Sequence, residues 1–103
     1  MRANKLATVA GLALGLAALL CAYPVQLSSQ QNIHTVAFNN DGAEGKVTIA
    51  GSADNKEWSV LGSALFSASE RVAQIYFAAA TVKYVTVAFD SAKGGTIRSF
   101  EIF

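Results

Sequence analysis

The stretch KVTIAGSADNKEWSVL, from Lys46 to Leu61, decides the fold class of this chain. Its first part alternates, with Val47 and Ile49 on one side and polar residues on the other, which is typical of a half-buried β-strand. The cluster over residues 51–56 is rich in turn-forming residues, and a second apolar run begins at Trp58. This stretch therefore predicts two strands joined by a turn.

The same pattern extends on both sides of this stretch. Short runs of apolar and β-branched residues alternate with turn residues over residues 33–38, 46–50, 58–61, 71–77, 82–89 and 96–103. Breaks about every 8–12 residues between short strands indicate an antiparallel β-sandwich or a partly closed barrel. We therefore predict one all-β domain over residues 33–103.

The N-terminal segment has a different character. Arg2 and Lys5 precede an uncharged, apolar run over residues 6–25. A short basic region followed by such a run is typical of a secretory signal peptide. We therefore expect an N-terminal signal helix over residues 1–22 and cleavage after Ala22, which makes the protein secreted or periplasmic.

Two alternatives for this segment stay open. Residues 6–25 could remain as a membrane anchor, because about 17–25 apolar residues can span a bilayer. Cys21 could instead carry a lipid, although Leu20 stands where a small residue is usual. Residues 23–32, which are mainly polar from Gln26 onward, are expected to form a linker to the folded domain.

Composition excludes several classes of protein. The 103-residue chain has a formal charge of +1, and residues 23–103 carry one more acidic than basic side chain. A nucleic-acid binder that neutralises phosphates with clustered Lys and Arg is therefore not expected. Cys21 is the single cysteine of the chain, so the part after Ala22 can form neither a disulfide nor a cysteine-based zinc site.

Three elements in the second half of the chain resemble the discoidin domain, also called the coagulation factor V/VIII type C domain. They are the turn Ser52-x-Asp54-x-x-x-Trp58, the strand KYVTV over residues 83–87, and the closing strand FEI over residues 100–102. They are similar to the family's S-x-D-G-x-x-W turn, its R-Y-V-R strand and its final strand with an acidic residue between apolar ones. The resemblance covers the C-terminal half of such a domain.

This resemblance implies a galactose-binding-domain-like fold, here a truncated, discoidin-like jelly roll. It also implies an exported, non-catalytic binding or adhesion module whose ligand is a glycan or another component of an extracellular surface. A shortened sandwich would leave sheet edges unpaired, and such edges favour strand addition. The alternative is therefore a structural or assembly protein that pairs through open edges, with a membrane tether in its N-terminal segment.

The residues that carry the resemblance are assigned structural roles. Asp54 is expected to cap its turn with Ser52 beside it, because a short carboxylate can accept backbone N–H bonds. Trp58 is expected to be the largest source of apolar burial in the chain. Tyr84 is predicted to pack at the edge of the sandwich, and Glu101 lies in the closing strand.

The candidate ligand-binding residues are Asn39, Asn40 and Asp41, at the start of the loop over residues 39–45. Their amide and carboxylate groups suit a carbohydrate. Together with Glu44 they are also the oxygen ligands that calcium prefers, but the spacing is not that of a calcium loop. We therefore predict a plain turn with no metal and no cofactor.

No catalytic constellation is present in the sequence. His34 is the single histidine and lies within an apolar run, so a hydrogen-bonded strand residue is expected there rather than a general base. None of the serines has a nucleophile-elbow setting. The chain is therefore predicted not to be an enzyme.

Overall fold

The computed structural model describes residues 7–16 and 20–103, with side chains from Tyr23 onward except for residues 91–93. These residues form the strands β1 (Ala7–Leu16), β2 (Leu20–Asp41), β3 (Glu44–Ser52), β4 (Ser59–Phe66), β5 (Val72–Lys93) and β6 (Gly95–Ile102). Every pair of neighbours is antiparallel, in the order β1-β6-β2-β5-β3-β4. The prediction of an all-β fold is confirmed.

The expectation of an N-terminal helix is wrong for the residues that the structure describes. Ala7–Leu16 forms β1, which pairs with β6, and residues 20–32 belong to β2. The segment expected to be a linker, residues 23–32, thus lies within a strand. An apolar run rich in small residues is compatible with a strand as well as with a helix. Here the run forms strands, because β1 pairs with β6 and the start of β2 pairs with β5. Within the described ranges, no helix could cross a membrane.

Two long strands divide the sheet into two layers. The first part of β2 pairs with the last part of β5, over residues 20–26 and 84–90, whereas residues 31–39 of β2 pair with residues 72–82 of β5. The register shifts between these parts, and such irregularities let a strand bend. The first layer therefore contains β1, β6, the later part of β2 and the early part of β5, and the second contains β4, β3, the late part of β5 and the early part of β2.

The core lies between the two layers. Phe38 of the first layer is fully buried, and its ring centroid lies 5.3 Å from that of Phe89 and 5.4 Å from that of Phe66, both in an edge-to-face arrangement. The Phe100 ring completes this cluster at 5.9 Å from Phe89. Edge-to-face pairs add about 0.5–1.5 kcal/mol each beyond the burial of apolar area. This cluster fixes Phe38, the residue before the candidate loop.

Candidate functional site

A cleft of about 330 Å³ lies where the end of β2 meets the beginnings of β5 and β6. Asn39 pairs with Val72 of β5 on one side and with Arg98 of β6 on the other. Paired residues of antiparallel strands point to the same face, so these three side chains form one row. The cleft is lined by Asn39, Asn40, Asp41, Arg71, Val72, Thr96 and Arg98.

The three candidate residues of the sequence do not share one role. Asn39 and Asp41 are exposed at the cleft, whereas Asn40, between them, is 5% exposed. Strand alternation explains the difference, because successive side chains point to opposite faces. Asn39 and Asp41 are thus free to contact a ligand, and the Asn40 side chain faces inward.

The Asn40 amide ties two loops together. Its Nδ2 donates to the carbonyl oxygen atoms of Ala43 at 2.8 Å, Glu70 at 3.0 Å and Ser67 at 3.1 Å. Its Oδ1 accepts the backbone N–H of Ala43 at 3.1 Å. Because Ser67 and Glu70 belong to the connection between β4 and β5, Asn40 holds that connection against the β2–β3 turn. Asn40 is therefore a positioning residue beneath the cleft.

The same network positions Arg71. Its carbonyl oxygen accepts the backbone N–H of Asn40 at 2.8 Å, and the preceding residue, Glu70, accepts the Asn40 side chain. The backbone of Arg71 is thus fixed on both sides, while its side chain is exposed at the cleft.

A bulge in β6 directs Arg98 outward. Ala37 pairs with Glu101 and Asn39 pairs with Arg98, so Ser99 and Phe100 together oppose Phe38. Ser99 has a φ of 54°, the left-handed conformation that the extra residue of a bulge can adopt. The bulge lets Ile97 and Phe100 both point into the core although three positions separate them. Arg98 consequently stays on the cleft side.

Next to the cleft, β6 approaches the β2–β3 turn closely. Gly42 has a φ of 85°, which favours glycine, and closes the turn after Asp41. A Cβ atom added to Gly95 would lie 2.6 Å from the carbonyl carbon of Gly42. Glycine at position 95 therefore allows β6 to start directly against the turn.

The turn after β3 forms as the sequence predicts. The Asp54 carboxylate accepts the backbone N–H groups of Glu57 at 3.0 Å and Lys56 at 2.8 Å, and the Ser52 hydroxyl donates to it at 3.1 Å. The Glu57 and Lys56 bonds lower the pKa of Asp54 below its ordinary value of 3.8, because they stabilise the ionised form. Asn55 has a φ of 66°, as expected of a residue that tolerates the left-handed region.

Trp58 departs from its expected role. The prediction that it supplies the largest apolar burial is wrong, because its side chain is 40% exposed. It comes just before β4, an edge strand, on a part of the surface that no second layer covers. Trp58 and Tyr84 instead line a second cleft of about 340 Å³, which also includes Asn55 and Gln26. Tyr84 is half-buried there, with the Lys83 ammonium 5.9 Å from its ring centroid.

Two further sequence expectations concern Glu101 and metal binding. Glu101 is half-buried in β6 opposite Ala37 of β2, apart from the residues that line the cleft. Among the residues that the structure describes, no three His, Cys, Asp or Glu side chains form a group that could hold a metal ion. Asn40 Oδ1, one of the oxygen atoms considered for calcium, is engaged by Ala43.

Sequence reasoning missed Arg71, Thr96 and Arg98. Arg71 lies about 30 residues after Asn40, and Thr96 and Arg98 lie 57 residues or more after Asn39. Only the strand order brings them together. The one local signal is in the closing strand, where Arg98 interrupts the apolar residues Ile97 and Phe100.

Solved structures with this fold include modules in complex with sugars. The CBM32 module of AlyQ, in complex with 4,5-unsaturated mannuronic acid, matches 100% of this chain and 98% of its own at 15% identity and a TM-score of 0.76. The module CpGH89CBM32-5 from Clostridium perfringens, in complex with GalNAc-β-1,3-galactose, matches 88% of this chain and 74% of its own at 12% identity and a TM-score of 0.73.

A third structure is chitosan-binding module 1 from a chitosanase/glucanase of Paenibacillus sp. IK-5. It matches 90% of this chain and 76% of its own at 23% identity and a TM-score of 0.65. No family model and no curated protein matches the sequence.

At these identities the likeness establishes the fold. The chain has the galactose-binding-like, discoidin-type β-sandwich of CBM32 modules, as the three sequence elements indicated. The likeness spans the whole chain, whereas the sequence resemblance reached only the C-terminal half of a discoidin domain. The strands β1 and β2 supply the part that the sequence elements did not cover.

Proposed function

We propose that this protein is an exported, non-catalytic glycan-binding module whose site is the cleft beside Asn39 and Asp41. The observation that carries the proposal is the set of groups that converge there. An amide, a carboxylate, a hydroxyl from Thr96 and two guanidinium groups line one cleft of about 330 Å³. Neighbouring sugar hydroxyls each present a donor and an acceptor, and this mixed set can pair with both.

The fold supports the same proposal. The CBM32 module of AlyQ and the module CpGH89CBM32-5 were solved with bound sugars, and the Paenibacillus module is described as chitosan-binding. A shared fold does not by itself establish a function. The proposal therefore rests on the residues of the cleft, and the shared fold is additional support. A cell-surface or other extracellular glycan is the partner that fits an exported module.

Export is supported by the N-terminal sequence. Arg2 and Lys5 before the apolar run are the features of a signal peptide. Expression with the native N-terminus followed by intact-mass measurement tests this part. A mass for residues 23–103 in the soluble exported fraction is expected; such a mature chain lacks β1 and the first three residues of β2 but keeps every residue that lines the cleft. A full-length or lipidated mass in the membrane fraction would favour an anchor, or a lipid on Cys21.

Binding to immobilised glycans tests the site. We expect Asn39→Ala and Asp41→Ala to lower binding strongly, because each removes a polar group at the cleft. Both side chains are exposed, so neither change should unfold the protein. Trp58→Ala is the matched control, because it alters the second cleft instead. Loss of binding in Trp58→Ala alone would move the site to that cleft, and no binding to any glycan would refute the proposal.

A second candidate function is assembly through a sheet edge. Within the part of the chain that the structure describes, β4 pairs with β3 alone, so its other side is an open edge. Val60 and Leu65 of this strand are 70% and 81% exposed, so this open edge also presents apolar side chains. Light scattering after size-exclusion chromatography tests it. A monomer at high concentration would reject assembly.

A further inference from the structure

The charge of the proposed cleft narrows the class of glycan. Arg71 and Arg98 both line it, whereas Asp41 is its one acidic residue. Neither guanidinium is engaged in an ion pair with any residue that the structure describes. Two arginines without a carboxylate partner leave a net positive cleft, which favours an anionic ligand.

The two arginines flank the cleft from opposite sides. Arg98 stands on β6, and Arg71 directly precedes Val72 of β5, with Asn39 of β2 paired between them. Two inter-strand spacings of about 4.8 Å place their backbones roughly 10 Å apart. A sugar ring can lie over Asn39 between the two arginines, and both long side chains can extend toward it.

The backbone of each arginine is held in place by the surrounding structure. The backbone of Arg71 is held by the Asn40 network, and Arg98 is directed outward by the bulge at Ser99. Sites that hold their groups in position before binding lose less entropy on association. The rest of the cleft consists of the neutral polar residues Asn39, Asn40 and Thr96, the apolar Val72, and the Asp41 carboxylate, which can accept hydrogen bonds from sugar hydroxyls.

We infer that this cleft binds acidic glycans, and that Arg71 and Arg98 recognise the carboxylate of a uronic acid residue. The guanidinium group is planar and offers paired N–H donors that match a carboxylate, which lysine does not. This inference rests on the proposed function, since it names the sugar class for the same site. Asn39 and Thr96 then bind the hydroxyls of the ring.

The test compares a polyuronate with the same polymer after chemical reduction of its carboxyl groups. Both polymers share linkage and ring hydroxyls, and they differ at C6, where the carboxylate becomes a neutral hydroxymethyl group. Isothermal titration with the full chain is expected to give at least tenfold tighter binding to the polyuronate. Equal binding to both polymers would overturn the inference and leave the proposed function standing. Absence of binding to both, and to a panel of neutral glycans, would refute the proposed function itself.

Variants separate recognition from general electrostatic attraction. Arg71→Gln and Arg98→Gln are each expected to weaken polyuronate binding about tenfold, and Arg71→Lys to give an intermediate loss, because a lysine keeps the charge but not the planar donor pair. Lys56→Gln removes one positive charge from the distant turn after β3 and should leave binding unchanged. An equal loss in Lys56→Gln would show attraction by net charge and would overturn the assignment. Circular dichroism of each variant confirms that it is folded.

Discussion

Replacement of Asn40 by alanine tests the central structural claim, that a buried amide builds the cleft. The variant loses the hydrogen bonds of Nδ2 and the bond from the Ala43 N–H to Oδ1. The amide has two donor hydrogens and here accepts one bond, so the loss is about three hydrogen bonds at about 1 kcal/mol each. We expect the free energy of unfolding to fall by about 3 kcal/mol, a large share of the roughly 5–15 kcal/mol typical of a domain.

The assay is urea denaturation followed by circular dichroism, because the far-ultraviolet signal reports the whole sheet. Asn39→Ala is the control, since the neighbouring side chain is exposed and should cost less than about 0.5 kcal/mol. A third variant sharpens the test. Asn40→Asp keeps the shape but turns two donors into acceptors that face carbonyl oxygen atoms, so at neutral pH it should be destabilised more than Asn40→Ala.

The result that refutes this reasoning is a loss below about 1 kcal/mol for Asn40→Ala, because water would then replace the amide at little cost. A smaller loss in Asn40→Asp than in Asn40→Ala would refute the assigned donor and acceptor roles. Glycan binding should weaken in both variants, since the β4–β5 connection before Arg71 loses its anchor.

Three further predictions follow from local geometry. Gly95→Ala should lower the melting temperature and weaken glycan binding, since its Cβ would collide with the β2–β3 turn; an unchanged melting curve would contradict this close approach. The backbone bonds from Glu57 and Lys56 hold the pKa of Asp54 below 3.8, so its contribution to stability is present above pH 3.8 and is lost as the pH falls through the folded-state pKa; Asp54→Asn should remove this part of the pH dependence in acid unfolding curves. Residues 23–103 alone should still melt cooperatively, because they contain the packed rings of Phe38, Phe66, Phe89 and Phe100, but at a lower temperature because β6 loses its pairing with β1; a non-cooperative melt would make β1 essential to the fold.

The sequence predicts the fold where alternation and turn chemistry agree. The stretch from Val47 to Ile49 alternates, and β3 buries Val47 and Ile49 as expected. Asp54 and Asn55 likewise adopt the predicted turn, because both of its determinants are local. Such features need no knowledge of distant residues, and for that reason they can be derived from the chain alone.

The N-terminal segment and Trp58 could not be predicted in the same way. An apolar run without alternation fits a signal helix or a strand, and its pairing partner, β6, lies about 80 to 95 residues away. Trp58 is the largest apolar side chain of the chain, but hydrophobicity does not indicate whether a second layer covers its position. In both cases the outcome depends on distant residues, which the local sequence does not reveal.

In the candidate site, too, some features follow from local sequence and others from tertiary structure. This difference explains how the site is built. The alternation of Asn39, Asn40 and Asp41 is local, and it already separates two groups that contact solvent from one that faces the interior. The arginines arrive only through the strand order, since β6 and β5 lie on either side of β2. The buried amide of Asn40 connects the two levels, because it bonds both to its own turn and to the connection that carries Arg71. Asn40 therefore contributes to the site from beneath the cleft, because it fixes the residues that the ligand contacts.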